Sequence, residues 1–325
     1  MKYPLISIIT PAFNNASILH RLLDSVLGQT YPNIEMFLID DGSTDNTKDI
    51  TEHYIKKFEE RGYNLTYIYQ ENSGQSVAIN TGLKLIHGEY LLWPDSDDFY
   101  ASSKTIETLY TVLSNENTDI ARCMANYLDE KTLKVIGKSK AITKPRLFED
   151  CLFVKNKFSF IAGGYMIKTS NIEKYIPNKE IYTEKRAGQN WQLMLPFLYG
   201  NNCITVTEPL YNIVCRSNSH SRELLDSYEK YTELLDAYQR TIIETINRTP
   251  LISQEEKIKY NWKITEKYHN LRLAYALNID DKNNIAKLYQ IAKEEGIRIN
   301  TKSKIRIQYP FIYKTLYFIK KCLRK

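Results

Sequence analysis

The feature that most constrains this chain is an alternation in its first hundred residues between short apolar, β-branched runs and longer amphipathic stretches. Leu5 to Thr10, Met36 to Ile39, Leu65 to Tyr69 and Tyr90 to Trp93 each read as a strand that stops at polar or Gly-containing residues. Helix-length segments lie between them. Ala16 to Leu27 sets Ile18, Leu22, Leu23 and Val26 on one face behind Asn15 as a cap, and Thr47 to Arg61 follows Ser43 and Asp45, expected to cap it. Strands separated by helices of about 10 to 15 residues imply parallel βαβ units buried on both faces. The expected fold class is α/β: a Rossmann-like, mostly parallel sheet flanked by helices.

In such sheets ligands bind beyond the carboxyl ends of the strands, where strand order reverses. The four exits are Pro11 to Asn15, Asp40 to Asp45, Glu71 to Gln75 and Pro94 to Asp98, polar or acidic each time. Turns and helix caps draw on the same residue types, so one such exit says little, while four together argue for a site. The last exit places Asp95, Asp97 and Asp98 within four positions. Unit charges about 4 Å apart repel by roughly 1 kcal/mol even in water, and by more where water is excluded. Asp95 and Asp97, spaced i and i+2, can turn their carboxylates to one point, and such hard oxygen ligands suit Mg2+ or Mn2+ holding phosphates. A solvated acidic turn, with Asp98 capping the next helix, is the plain alternative.

At 325 residues the chain exceeds one ordinary core, so a main domain with an appendage is expected. Past residue 130 or so the pattern loosens. Ile161 to Ile167 reads as a buried strand with a Gly-Gly bend, Trp191 to Tyr199 as a core helix, and Glu223 to Glu295 as helical without a sustained heptad. The expected division is a domain at 1–222, a helical region at 223–300 and a basic amphipathic tail at 301–325. Thr301 to Lys325 carries eight Lys or Arg and no acid, interleaved with aromatic and aliphatic residues such as Tyr313, Leu316 and Tyr317. That combination suits an anionic membrane surface. A helix docked on the main domain is the alternative, and no pattern of a nucleic-acid module accompanies the charge. No run is long enough to span a bilayer and no signal peptide opens the chain, while five scattered cysteines fit a reduced compartment. The expectation is a cytoplasmic protein, peripheral on the inner membrane face. The 25 tyrosines are expected mainly in the core.

"SIITPAFNN" at Ser7 to Asn15, "IDDGSTDNT" at Ile39 to Thr47, "ENSGQSVAINTG" at Glu71 to Gly82 and "PDSDD" at Pro94 to Asp98 resemble, in order and spacing, the signature of family 2 glycosyltransferases with the GT-A fold. The resemblance is strong over the first hundred residues and weaker to about residue 220. It implies that Phe13 stacks on a nucleobase, usually uracil, that Asp41 accepts from the base edge, and that Asp95 and Asp97 form the pair holding Mn2+ or Mg2+ against the donor diphosphate. Pro11, Ala12, Asn14, Asn72, Gly74, Gln75, Asn80, Ser96, Trp191 and Arg216 are expected to line the donor and acceptor, and His220 to complete the metal site. The implied activity is inverting transfer of a sugar, from a UDP-sugar above all, to a hydroxyl of a glycan or lipid-linked glycan in bacterial surface-polysaccharide assembly.

Two departures qualify the match. Ile79 stands where the family often has arginine, and Gln189-Asn190 stands where it usually carries Glu-Asp, whose Asp is the general base. An amide cannot take the proton near neutral pH. Three alternatives stay open: Glu184 or Glu180 serves as base, Asn190 only orients the acceptor, or the chain binds sugar nucleotides with little or no catalysis. A nucleotidyltransferase also uses a parallel sheet with acidic metal ligands, but usually has a Gly-rich, Lys/Arg-bearing first loop, whereas "PAFNNAS" has neither.

Overall fold

The computed structural model describes residues 3–185, 187, 190–216 and 227–309. Strands β1 (Ile6–Ala12), β2 (Ile34–Asp41), β3 (Asn64–Gln70) and β4 (Tyr90–Leu92) pair in parallel in the order β3-β2-β1-β4. Helices α1 (Ala16–Leu27), α2 (Thr47–Arg61) and α3 (Gln75–Leu83) connect them. Every position of β1 and β2 is buried, which explains why their sequences run apolar without alternating. The chain builds β2 and β3 on one side of β1 and then returns to lay β4 on the other. Strand order therefore reverses between β1 and β4, and a crevice opens at their carboxyl ends.

Beyond β4 the sheet becomes mixed. It continues through β5 (Phe99–Tyr100), α4 (Thr105–Ser114), β6 (Ile120–Asp129), β7 (Val135–Lys138), α5 (Phe148–Phe153), β8 (Tyr165–Lys168), α6 (Ile172–Tyr175), α7 (Asn190–Leu198) and β9 (Cys203–Cys215). β8 lies antiparallel between β4 and β6, β9 runs parallel to β6, and β5 pairs antiparallel with β9. The β6–β9 register shifts on both sides of Met124, which pairs with Pro209. Such irregularities bend a strand, and the far end of β9 reaches the exit of β4, where the Val214 N–H meets Asp98. In the expected Gly-Gly bend, a Cβ on Gly163 would lie 2.4 Å from the Tyr211 ring, so the close approach requires glycine.

Among the described residues four helices follow: α8 (Tyr228–Arg248), α9 (Gln254–Ile279), α10 (Lys282–Glu294) and α11 (Thr301–Gln308). Ile242 and Ile246 of α8, with Ile264 and Tyr268 of α9, share the core of the sheet. Leu273, Ala276 and Leu277 of α9 form a smaller second core with Leu288 and Ala292 of α10. Arg306 fastens α11 to α9, its guanidinium donating to the Leu277 carbonyl and to Asn278 Oδ1, each at 2.6 Å. The start of the basic tail is thus a docked helix. The expected boundary at 222, His220 and the tail from Pro310 lie outside the described residues. Tyr31, Tyr63, Tyr165 and Tyr211 are among many tyrosines in the core, and Cys123, Cys151, Cys203 and Cys215 are free thiols. Among the described residues no helix is long and apolar enough to cross a membrane.

Candidate active site

The exits of β1 and β2 are stitched together by hydrogen bonds. Asn14, at a positive φ of 51° that asparagine tolerates better than most residues, donates its N–H to Ser43 Oγ at 2.9 Å and accepts from the Thr44 N–H at 2.8 Å. Asp45 accepts from the first N–H of α1, Ala16, and from the first of α2, Thr47, both at 3.0 Å. One carboxylate therefore serves two helix N-termini, where backbone donors are unsatisfied and negative charge is favoured. Burial raises its pKa, but these bonds and that of the Thr47 hydroxyl prevail and the net shift is downward. The expected caps differ accordingly. Asn15 stands at the N-cap position of α1, but its side chain makes no capping bond and reaches across to the exit of β4, Nδ2 donating to Ser96 Oγ at 2.6 Å, while Ser43 lies outside the N-cap of α2 at Asn46.

The exit of β3 closes on β2. Asp41 is buried, with Oδ1 accepting from Gln70 Nε2 at 2.8 Å and the Ser73 N–H at 2.9 Å, and Oδ2 from the Gly74 N–H at 2.8 Å. Asn72 Nδ2 donates to the Asp41 carbonyl at 2.9 Å. Gly42, at φ 83°, admits that loop, since a Cβ there would lie 2.7 Å from the Asn72 nitrogen. Gln75 Nε2 in turn donates to Asp95 Oδ1 at 3.1 Å. The four exits thus form one cross-linked rim. Pro11 and Ala12 are buried beneath it, while Phe13 is 42% exposed.

The crowded carboxylates at the exit of β4 are handled in three ways. Asp95 accepts from Gln75. Asp97 pairs with the Arg216 guanidinium at the end of β9. Asp98 is 6% exposed, accepts from the Val214 N–H at 2.9 Å and caps no helix. Burial first, and then Asp97 and Asp95, push the Asp98 pKa well above the usual carboxylate range. Among the described residues no group of three His, Cys, Asp or Glu side chains is placed to hold a metal. Ile79 is fully buried in the core, so an arginine there would bury a charge.

Helix α3 also holds the chain that leads toward Asn190. Asn80 Nδ2 donates to the Ile181 carbonyl and its Oδ1 accepts from the Ile181 N–H, both at 2.9 Å. Ser76 Oγ makes the same double contact with Glu184, at 3.2 Å each, and Gln192 Nε2 donates to the Tyr182 carbonyl at 2.7 Å. Asn80, expected at the donor, therefore has its whole amide on a peptide of the protein. The Glu184 carboxylate points to α8, where Arg240 Nε and Nη2 donate to Oε2 at 3.1 and 3.0 Å. Asn190 begins α7, and Gln189 lies outside the described residues. Trp191 packs edge-on against Phe160 and Tyr238, at 5.0 and 5.1 Å between ring centres, and ties α7 to α8. Glu180 lines a separate cavity with Tyr175 and Arg248.

Sequence reasoning missed Ser76, Gln192, Tyr182 and Arg240. For Ser76 a signal existed, since it shares a short, largely apolar and buried helix with Asn80 at i, i+4 spacing. Arg240 carries no local signal, because its partner Glu184 lies 56 positions away.

Comparison with known proteins bears on this geometry. The sequence matches the family described as glycosyl transferase family 2 over residues 7–176. It is 41% identical over 122 residues to the glycosyltransferase GlyA of Streptococcus pneumoniae, covering 38% of this chain and 16% of that protein. It is 37% identical over 130 residues to an uncharacterized glycosyltransferase of Rickettsia typhi, covering 40% of this chain and 39% of that protein. The chain thus spans well under two thirds of those relatives. Streptococcus pneumoniae GlyG is matched more fully, at 27% identity over 75% of this chain and 79% of its own. Among solved structures, S. aureus TarS 1–349 in complex with UDP-GlcNAc superposes with a TM-score of 0.63 at 17% identity, covering 88% of this chain and 81% of that one. The mannosyltransferase PcManGT of Pyrobaculum calidifontis, in complex with GDP-Man and Mn2+, gives 0.52 at 16% identity over 97% and 84%. These likenesses establish the GT-A fold. With the family match covering more than half of its length, the chain belongs to glycosyl transferase family 2.

Proposed function

We infer that this glycosyltransferase uses a divalent metal to move a hexosyl or N-acetylhexosaminyl group, with inversion, from a UDP-sugar to a hydroxyl of a lipid-linked glycan in capsule, O-antigen or exopolysaccharide synthesis. The observation that carries the inference is the cross-linked rim, in which four strand exits surround Asp95 and Asp97 and leave the Phe13 ring open. Phe13 stacks on the base. The Asp41 carboxylate already accepts three protein hydrogen bonds, and a carboxylate has about four lone-pair sites, so it can accept one more from a base N–H. UDP-GlcNAc in TarS and GDP-Man with Mn2+ in PcManGT support a nucleotide-diphosphate donor and a metal.

The donor set fits a divalent ion. Asp95 and Asp97 present hard oxygens at i, i+2 spacing, and the charge of Asp97 is met in the structure by a cation, Arg216. When bound, the ion neutralises charge on the departing diphosphate. Arg216 adds positive charge for the same group, and His220 is a further ligand in this proposal. Glu184 Oε1 takes the acceptor proton while Arg240 fixes Oε2, and Asn190 orients the acceptor. The basic tail holds the enzyme at the inner face of the bacterial plasma membrane, where a lipid-linked acceptor resides.

Calorimetric titration of UDP with and without Mn2+ tests the reading. Asp97→Asn is expected to lose the Mn2+-dependent gain in affinity, and an affinity equal to wild type would contradict the assignment. The Glu184 to Arg240 ion pair and the Gln189-Asn190 sequence favour one second reading, a donor-binding chain with little turnover. Saturable UDP-sugar binding with neither transfer nor donor hydrolysis would identify it.

A further inference from the structure

We propose that a cleft between the Tyr182 segment and helices α8 and α9 binds the acceptor as a neutral, hydroxyl-rich oligosaccharide; this rests on the transferase reading above. The cleft has a volume of about 440 Å3, within the range of about 300 to 1,000 Å3 common for small-molecule sites. Asp236, Gln239, Arg240 and Glu244 face it from α8 at i, i+3, i+4 and i+8, Arg272 faces it from α9, and Tyr182 closes it toward α3. Its position relates it to the reaction. Arg240 lines the cleft and holds Glu184, whose peptide is pinned to Ser76 on the same helix that begins beside Asp95.

The charges of the cleft set the class of ligand. Arg240 donates twice to Glu184 Oε2. Arg272 Nε donates to Asp236 Oδ1 at 3.1 Å, its Nη2 pairs with the same oxygen, and Nη2 also donates to Gln239 Oε1 at 2.9 Å. Both cations are thus matched by protein carboxylates, and Glu244, itself paired with Arg248 Nε at 3.4 Å, also lines the cleft. A phosphate or uronate would face those carboxylates and would have to separate paired ions. Sugar hydroxyls instead donate to the second oxygens of carboxylates whose first oxygens are held in place. The tyrosine adds apolar surface with a polar tip.

The test uses the full-length chain, saturation-transfer NMR and a panel of neutral malto-, cello- and lacto-oligosaccharides, with size-matched uronate and phosphorylated oligosaccharides. UDP titration runs in parallel. Neutral oligosaccharides should give saturation transfer, and Tyr182→Ala and Glu244→Gln should each weaken it at least tenfold while UDP affinity changes less than twofold. In a transfer assay with the best binder, the same variants should raise the acceptor KM by a similar factor and leave the donor KM unchanged. The inference is overturned if no neutral member binds, if charged members bind better, or if both variants bind as wild type does. Failure of UDP to bind would instead refute the transferase reading, and the NMR result would still report on the cleft. Circular dichroism confirms that each variant is folded, and Glu244→Gln, which keeps size and shape, guards against a merely structural effect of Tyr182→Ala.

Discussion

Asn80→Ala separates a residue that positions the acceptor side from one that touches the donor. In the structure the Asn80 amide satisfies both the N–H and the carbonyl of Ile181, at 2.9 Å each, and the two residues are 7% and 3% exposed. Truncation leaves two buried backbone groups without partners. Each such group costs about 1–3 kcal/mol, so a loss of about 2–6 kcal/mol is expected. Ser76→Ala disturbs longer bonds, at 3.2 Å to a less buried peptide, and should cost about 1 kcal/mol. Urea melts followed by tryptophan fluorescence give the stability, and hydrogen exchange at the Ile181 amide reports the local loss of protection. UDP affinity should stay within twofold of wild type while transfer falls, because the clamp acts on the Glu184 segment. A variant within 0.5 kcal/mol of wild type and with unchanged Ile181 protection would refute the clamp. A variant that lost UDP affinity with its stability intact would return Asn80 to the donor site.

Gly163→Ala drives a methyl to within 2.4 Å of the Tyr211 ring and should destabilise by about 1–3 kcal/mol in the same melts; a neutral result would show that β8 shifts freely. Asp98 has a raised folded pKa, so the stability of its protonated form is full below the ordinary carboxylate pKa and lost as pH rises through the folded value. Asp98→Asn, whose carbonyl can still accept from the Val214 N–H, should therefore melt higher than wild type at neutral pH without metal and match it in acid. A pH series of thermal melts with parallel curves for the two proteins would sink that argument. Burial lowers the Lys267 pKa to about 8, so below that pH the fold carries a poorly solvated ammonium. Lys267→Met should be stabilising at pH 7 in chemical denaturation, with the gain shrinking above pH 8, and a pH-independent difference would exclude the cause.

The parallel half of the fold was legible because its strands and helices obey local rules. α1 and α2 begin and end at the expected residues, Ala16 to Leu27 and Thr47 to Arg61. The caps were not legible, because Asn15, Ser43 and Asp45 are equally able to cap, turn or cross-link, and tertiary position decides among these. Asn15 went to Ser96 and Asp45 to two helices at once. The mixed half was opaque for a related reason. β6 is largely buried, and β9 carries Pro209 beside a register shift, so neither shows a clean period of two. The turn that leads into β8, between β4 and β6, packs Gly163 closely against Tyr211 of β9, a long-range approach that no local pattern encodes.

The same distinction explains the acidic cluster. Its crowding is visible in the sequence, and the need for compensation follows from electrostatics alone, but the means of compensation are long-range. Asp97 is met by Arg216, 119 positions away, and Asp98 by a peptide N–H 116 positions away. Both partners belong to the end of β9, so the strand that completes the sheet also neutralises the cluster. In the proposed mechanism Arg216 and a divalent ion would be alternatives at Asp97, since either supplies the positive charge that the carboxylate requires. Asp98, shifted toward its neutral form and fixed on Val214, would not compete for that ion. Three carboxylates in four positions thus divide into two with side-chain partners, Gln75 at Asp95 and Arg216 at Asp97, and one held by a backbone N–H. This is why the motif can be crowded without unfolding the turn that carries it.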